Sequence, residues 1–262
     1  ILKDQLKRAE AAGFSVMMGS ELEFFLSPDT YEQVAENGFR APRTAGWYNL
    51  DYHILQTSKD EPIIRRIRNE MLGANLPIEF SKGEAAPGQH EINLRYSDAL
   101  EMADNHVVFK NGVKEIAHLE GQSATFMAKP FADQPGSSCH IHTSLWSLDG
   151  QTPLSPGDAG NGMSGEFRSF VAGLVNHLAD VTLLGAPNIN SYKRYQPESW
   201  APTATVWALD NRTAGLRLVG TGPGLRIESR IPGADANPYL AFAGVIAAGL
   251  AGIEEGLDCG PP

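Results

Sequence analysis

Near the end of the chain, Arg226, Glu228 and Arg230 alternate with Leu225, Ile227 and Ile231. On a β-strand this period of two gathers the three charges on one face and the apolar side chains on the other. Taken alone, the pattern suits a solvated strand face. Three other segments repeat it with groups that bind metal ions: Glu21 and Glu23 lie two apart in the apolar run 16–26, His140 and His142 share the same spacing, and Glu84 and Glu91 flank the turn-like Ala-Ala-Pro-Gly-Gln-His. If the carboxylates of Glu21, Glu23, Glu84, Glu91 and Glu228 converge at ~6 Å, each pair repels by about 3 kcal/mol at an effective dielectric near 20, so they demand cations. Oxygen-rich ligation with one histidine suits Mg²⁺ or Mn²⁺ better than zinc.

Arginines form the second set. Arg194, Arg212, Arg217, Arg226 and Arg230, with Lys193, crowd into one late segment. Guanidinium groups grip phosphate and carboxylate oxygens bidentately. Arginines beside divalent metal are the equipment for handling ATP phosphates and a transferring phosphoryl group. No GxxxxGK[ST] or GxGxxG loop is present, so P-loop and dinucleotide-fold routes have no support. His142 and Ser144 follow His140 at alternate positions and, singly, read as structural polar residues. Tyr48, Tyr52 and His53 read as loop packing, and Trp200 and Trp207 as core aromatics.

These side chains need a sheet to hold them. Periodicity and breakers predict helices at 2–12, 61–72 (with Pro62 in its first turn), 98–119, 167–184 and from Asn237-Pro238 to about 254. Strands are predicted at 14–26, 78–82, 89–96, 124–128, 140–146, 203–209, 215–218 and 225–231, with 27–50 as loop. Most strands are joined by turns rather than regular βαβ crossovers. The expected fold class is therefore α+β: a curved, mainly antiparallel sheet with helices packed on its outer face and the charged faces in its concavity.

The 262 residues suit one large domain, and the net charge of −10 argues against a nucleic-acid surface. Cys139 and Cys259 form no CxxC set, which fits a reducing compartment. No run approaches the ~20 apolar residues of a membrane span, and no signal sequence opens the chain, so a cytoplasmic location is expected. Both ends read as cut from a longer polypeptide.

The motifs GSELEFFL (19–26), EAAPGQHEINL (84–94), ATFMAKPF (124–131), GSSCHIHTSLW (136–146), NSYKRYQPESWAP (190–202), NRTAGLR (211–217) and RIESRIPGADANPYLA (226–241) occur in one order. Together they resemble the catalytic domain of the glutamine synthetase family, over most of residues 1–262. The resemblance implies an ATP-dependent ligase joining the γ-carboxyl of glutamate to an amine through γ-glutamyl phosphate. It implies one divalent metal on Glu23, Glu84 and Glu91 and a second on Glu21, His140 and Glu228. Arg194 and Arg230, with Gly136, would grip glutamate; Arg212 and Arg217, with Arg194, would act in catalysis at the phosphates. Tyr96, His142, Ser144, Arg226 and Arg217 would contact the nucleotide. The family also implies a homo-oligomer, a dodecameric double ring, and an N-terminal β-grasp-like domain that this chain lacks.

The chain departs from the pattern of ammonia-using members, which carry a glutamate just before Ala-Pro on a flap over the acyl phosphate; here that place is Trp200. An indole cannot take a proton from ammonium but packs on an alkyl chain or faces a cation. The expected acceptor is thus an amine larger than ammonia: a polyamine, ethanolamine or another alkylamine. The short Glu84–Glu91 link also resembles the γ-glutamyl-polyamine ligase branch, while Pro135 replaces an asparagine common beside the glutamate site. The alternatives are glutamine synthetase proper, a non-catalytic structural or regulatory relative, and a phosphagen-kinase-like phosphotransferase.

Overall fold

The structure, a computed structural model, describes residues 1–262 apart from Ala41, Leu50 and Glu198. The loop reading of 27–50 and the motif 190–202 include those three positions, which lie outside the described residues. In chain order the elements are α1 (Leu2–Ala11), β1 (Ser15–Ser27), α2 (Tyr31–Glu36), α3 (Ile54–Gly73), β2 (Ile78–Gly83), β3 (Gln89–Leu94), β4 (Ser97–Asp98), α4 (Ala99–Leu119), β5 (Ser123–Thr125), β6 (Cys139–Trp146), α5 (Gly165–Gly185), α6 (Ile189–Tyr192), β7 (Trp207–Leu209), β8 (Leu216–Val219), β9 (Arg226–Ser229) and α7 (Pro238–Glu254).

One sheet runs in the order β2-β3-β1-β6-β9-β8-β7, with β4 and β5 also pairing with β1. Every pairing is antiparallel except β7 with β8. The α+β expectation of a mainly antiparallel sheet backed by helices therefore holds. Several elements differ from their predicted extents: the strands expected at 124–128 and 225–231 are Ser123–Thr125 and Arg226–Ser229. Helix α3 begins at Ile54 rather than 61, and Pro62 lies inside it rather than at its first turn. The first part of the predicted strand 203–209 is irregular, leaving only Trp207–Leu209. Within the predicted loop, α2 forms because the Thr30 side chain accepts from Gln33 N–H while the Gln33 side chain caps Thr30 in return.

Strand alternation divides the molecule. On β1, Val16, Met18, Leu22, Phe24 and Leu26 join the apolar core, whereas Glu21 and Glu23 take the opposite face. Ile92, Ile141, Leu145, Leu216 and Ile227 extend that apolar face across the neighbouring strands. Helix α4 covers it with Met102, Ala103, Phe109, Val113, Ile116 and Ala117 at helical spacing, and Asp98 caps its start by accepting from Leu100 N–H at 2.9 Å. Helices α5 and α7 then pack together so closely that Gly173 and Gly252 meet backbone to backbone. A Cβ on Gly252 would strike Ser169 O and stand 2.5 Å from Gly173 N, neither of which can turn aside. We expect Gly252→Ala to lower unfolding stability by about 1–3 kcal/mol, measurable by urea denaturation, the usual cost of overpacking. No helix among the described residues is long and apolar enough to cross a membrane.

Candidate active site

The polar face of the sheet lines a cavity of about 550 Å³. Glu21, Glu23, Glu84, Glu91, Gly136, His140, His142, Arg194, Trp200, Arg212, Arg217, Arg226, Glu228 and Arg230 all border it. A second cavity of about 340 Å³ adjoins, sharing Glu21, Phe80, Asn93, His142 and Arg226. Tyr96 and Ser144 line only this second space. There the Tyr96 and Trp146 rings lie 6.1 Å apart, and Trp146 Nε1 donates to Ser144 Oγ at 2.8 Å.

The acidic residues form two groups. Glu23, Glu84 and Glu91 each bring a carboxylate oxygen within 4.8 Å of the others. β1–β3 pairing sets Glu23 opposite Glu91, and β2–β3 pairing sets Lys82 opposite Glu91. Glu23 is held by three donors: Ser138 N at 2.9 Å, Ser138 Oγ at 2.5 Å and Gln89 Nε2 at 3.0 Å. Gln89 also donates to Gly136 O at 3.0 Å, tying the cluster to the next loop. Lys82 Nζ contacts Glu84 at 2.6 Å and lies 3.0 Å from Glu91 Oε1, a buried oxygen with no aligned hydrogen-bond donor. Burial, and next the Glu23 charge, push Glu84 up to about 7. Burial and the neighbouring acids likewise raise Glu91 well above its ordinary value. Three crowded carboxylates, with burial opposing ionisation of Glu84 and Glu91 and an orphaned oxygen on Glu91, fit a hard divalent cation.

Glu21, His142 and Glu228 form the second group, again with ligand atoms within 4.8 Å. His140 stands beside them, its Nδ1 3.1 Å from Glu21 Oε2 and 3.4 Å from Glu228 Oε1. The two imidazoles are not equivalent. Arg226 Nε donates to His142 Nδ1 at 3.0 Å, so the neutral ring carries its proton on Nε2 and donates to Glu21 at 2.8 Å. Arg226 thus holds the His142 proton on the nitrogen that faces Glu21, whereas among the described residues no donor points at His140, whose proton is free to move to Nε2 and leave Nδ1 open to a cation. Burial alone would raise Glu21, but the hydrogen bonds from His140 and His142 outweigh it and hold the carboxyl far below its usual range. Burial would raise Glu228, but its neighbours His140, His142 and Arg230 outweigh it and leave its carboxyl lowered. Mixed oxygen and imidazole donors again fit Mg²⁺ or Mn²⁺.

The arginines stand around these acids. Arg217 Nη1 donates to Glu228 at 2.9 Å while its far side is held by Asp210. Arg230 Nη1 donates to the other Glu228 oxygen at 2.5 Å, and its buried Nε lacks a partner. Arg194 is buried, and burial lowers its otherwise very high pKa; Nη1 donates to Ile231 O at 2.9 Å. Gly136 permits that placement, since a Cβ there would stand 2.6 Å from Arg194 Cγ. Arg212 Nη1 reaches Tyr52 Oη at 3.2 Å.

Trp200 is 63% exposed and has φ +60°, a strained value for a bulky side chain. With Pro135 and Ser199 it borders both the main cavity and an outer cavity of about 740 Å³. Trp200 is therefore a rim residue rather than a core aromatic; Trp207, 4% exposed, is in the core. Tyr52, read as loop packing, borders the cavity beside Asp51, and both have positive φ. Among the described residues lining the main cavity, Asp51 is the one carboxylate outside the two groups. Lys82, Gln89 and Ser138 were also missed as neighbours of the acids, although Lys82–Glu84 and Gln89–Glu91 show the same period of two.

The chamber sets paired acidic clusters against several guanidinium groups, an arrangement that neutralises a polyphosphate and stabilises charge on a transferring phosphoryl group. The family model for the glutamine synthetase catalytic domain matches residues 1–262. The gamma-glutamylethanolamide synthetase GlnA4 of Streptomyces coelicolor is 52% identical over 262 residues, covering 100% of this chain and 56% of that protein. A glutamate–isopropylamine ligase of a Pseudomonas species is 38% identical over 258 residues, covering 98% and 56%. The solved GmaS/ADP complex superposes with TM-score 0.88 at 34% identity, covering 99% of this chain and 59% of that one. The chain thus spans a little over half the length of these relatives.

Proposed function

This chain belongs to the glutamine synthetase catalytic-domain family, and from that premise we propose that the protein joins the γ-carboxyl of glutamate to an amine larger than ammonia, with ATP as the driving substrate. The observation that carries the reading is a pair of clusters facing arginines in one cavity: Glu23–Glu84–Glu91, and Glu21–His142–Glu228 with His140 beside it. The names of two relatives, one an ethanolamide synthetase and one an isopropylamine ligase, favour a small monoamine over ammonia.

In this proposal glutamate lies with its carboxylates against Arg194 and Arg230, beside the Gly136 loop. ATP enters from the second cavity, past Tyr96, Ser144, His142 and Arg226. Divalent cations on Glu23–Glu84–Glu91 and on Glu21–His140–Glu228 would neutralise phosphate charge and polarise the γ-phosphoryl group. The γ-carboxylate attacks the terminal phosphorus, ADP leaves, and Arg212 and Arg217 stabilise the charge on the phosphoryl oxygens. The amine then attacks the acyl carbon of γ-glutamyl phosphate and inorganic phosphate departs, leaving an amide. The proton lost by the amine has a receiver in Asp51, the cavity carboxylate not committed to either cluster. His140 is the better ligand of the two imidazoles because Arg226 fixes the proton of His142 on the wrong nitrogen. Trp200, at the rim, would pack on the alkyl part of the amine. Assembly into a family-type ring and a cytoplasmic location complete the proposal.

The test is phosphate release by the full-length protein across a panel of ammonia, ethanolamine, isopropylamine and putrescine. The expected result is release that requires ATP, glutamate and an amine together, with a monoamine preferred over ammonia. Phosphate release without glutamate would be ATP hydrolysis and not ligation, ADP formation without phosphate release would favour a kinase-like activity, and ammonia as the best acceptor would restore glutamine synthetase proper.

A further inference from the structure

Lys82 lies in the Glu23–Glu84–Glu91 cluster, where a lysine ammonium competes with any cation those acids would bind. Its Nζ is 2.6 Å from Glu84 Oε1 and 3.0 Å from Glu91 Oε1. Cross-strand pairing with Glu91 and the two-residue step to Glu84 aim it there. Its ammonium is thus a positive charge set between two carboxylates. The β2–β3 pairing does not need this ion pair, because backbone register runs along both strands.

We propose that Lys82 is a resident counterion of this cluster: it holds the metal-free acids together and must yield their oxygens to the incoming divalent ion, lowering the site's affinity for it. The inference rests on the reading of Glu23, Glu84 and Glu91 as one cation site. A divalent ion ligated by Glu84 Oε1 and Glu91 Oε1 cannot share them with an ammonium at 3 Å without strong like-charge repulsion. The Tyr52 ring, whose centroid is 5.0 Å from Nζ, offers the displaced ammonium an aromatic face. Glu84 and Glu91 alternate between two positive partners, so neither is left buried and unpaired when the divalent ion is away.

Calorimetric titration of the full-length, nucleotide-free protein with Mn²⁺ tests this, alongside thermal melting of the metal-free form. Lys82→Met and Lys82→Gln should each tighten one class of Mn²⁺ site at least about tenfold and lower the metal-free melting temperature. Lys82→Arg, which keeps the charge, should stay within about threefold of wild type. Glu91→Gln should abolish that class of site. Unchanged or weaker Mn²⁺ affinity in both neutral variants, with Glu91→Gln abolishing the site, overturns the counterion role and leaves the metal site standing. Wild-type Mn²⁺ binding in Glu91→Gln overturns the cluster reading and the inference with it.

Discussion

Glu228→Gln lowers kcat/KM for ATP-driven amide formation by at least about 10²-fold while the protein remains folded. The carboxylate is 1% exposed, accepts from Arg217 and Arg230 on its two oxygens, and stands 3.4 Å from His140. Its charge is what both arginines and the proposed second metal require, and losing one such preorganised charge typically costs 10²–10³ in rate. Glutamine is the variant of choice because of the same contacts. Alanine would leave two guanidinium groups facing a void, and stripping one partner from a buried ion pair costs about 3–5 kcal/mol. The amide keeps the shape and can still accept a hydrogen bond. Steady-state phosphate release gives the rate, circular dichroism the fold, and a Mn²⁺ titration should show one site fewer. Wild-type turnover by a folded Glu228→Gln protein would remove this residue from the chemistry.

Trp200→Glu raises the ratio of kcat/KM for ammonia to that for a small alkylamine by about 10- to 100-fold, the scale on which single pocket contacts discriminate small apolar groups. The indole gives an alkyl chain a surface, but offers ammonium only its ring face and no oxygen to accept its N–H groups. A carboxylate at the rim reverses both terms, attracting ammonium and leaving the alkyl group unpacked. Glutamate also keeps a non-glycine residue at φ +60°, so backbone strain largely cancels between the two proteins. The measurement is amide formation with ammonium chloride against ethanolamine and isopropylamine at saturating ATP and glutamate. An unaltered ratio would strip Trp200 of its role as selector.

The period of two was legible without coordinates because strand alternation is a local property. It pointed to Glu21 and Glu23 on β1, His140 and His142 on β6, and Glu228 with its flanking arginines at β9, all of which border one cavity. The same rule reached further than it was applied, for Lys82 and Gln89 alternate with Glu84 and Glu91. Other features depend on pairing that no local pattern encodes. Ser138 lies beside Glu23 through the chain's path before β6, and Tyr52 meets Arg212 from a loop 160 residues away in sequence. Helix α3 was begun too late because His53 makes no side-chain cap and Pro62 resembled a first-turn residue. The proposed preference for His140 over His142 as a ligand rests on Arg226, whose hydrogen bond to one ring is visible only in the folded chain.

Glu21 and Glu23 each belong to a different acidic group yet occupy a single unbroken strand. Two residues of antiparallel strand advance about 6.8 Å, so the backbone of β1 acts as a gauge bar between the two halves of the chamber. One residue inserted between these glutamates would turn one of them toward the helices. Side chains along the cavity can be exchanged one at a time, but the interval between its two ends is fixed by the strand and changes only with the chain's length.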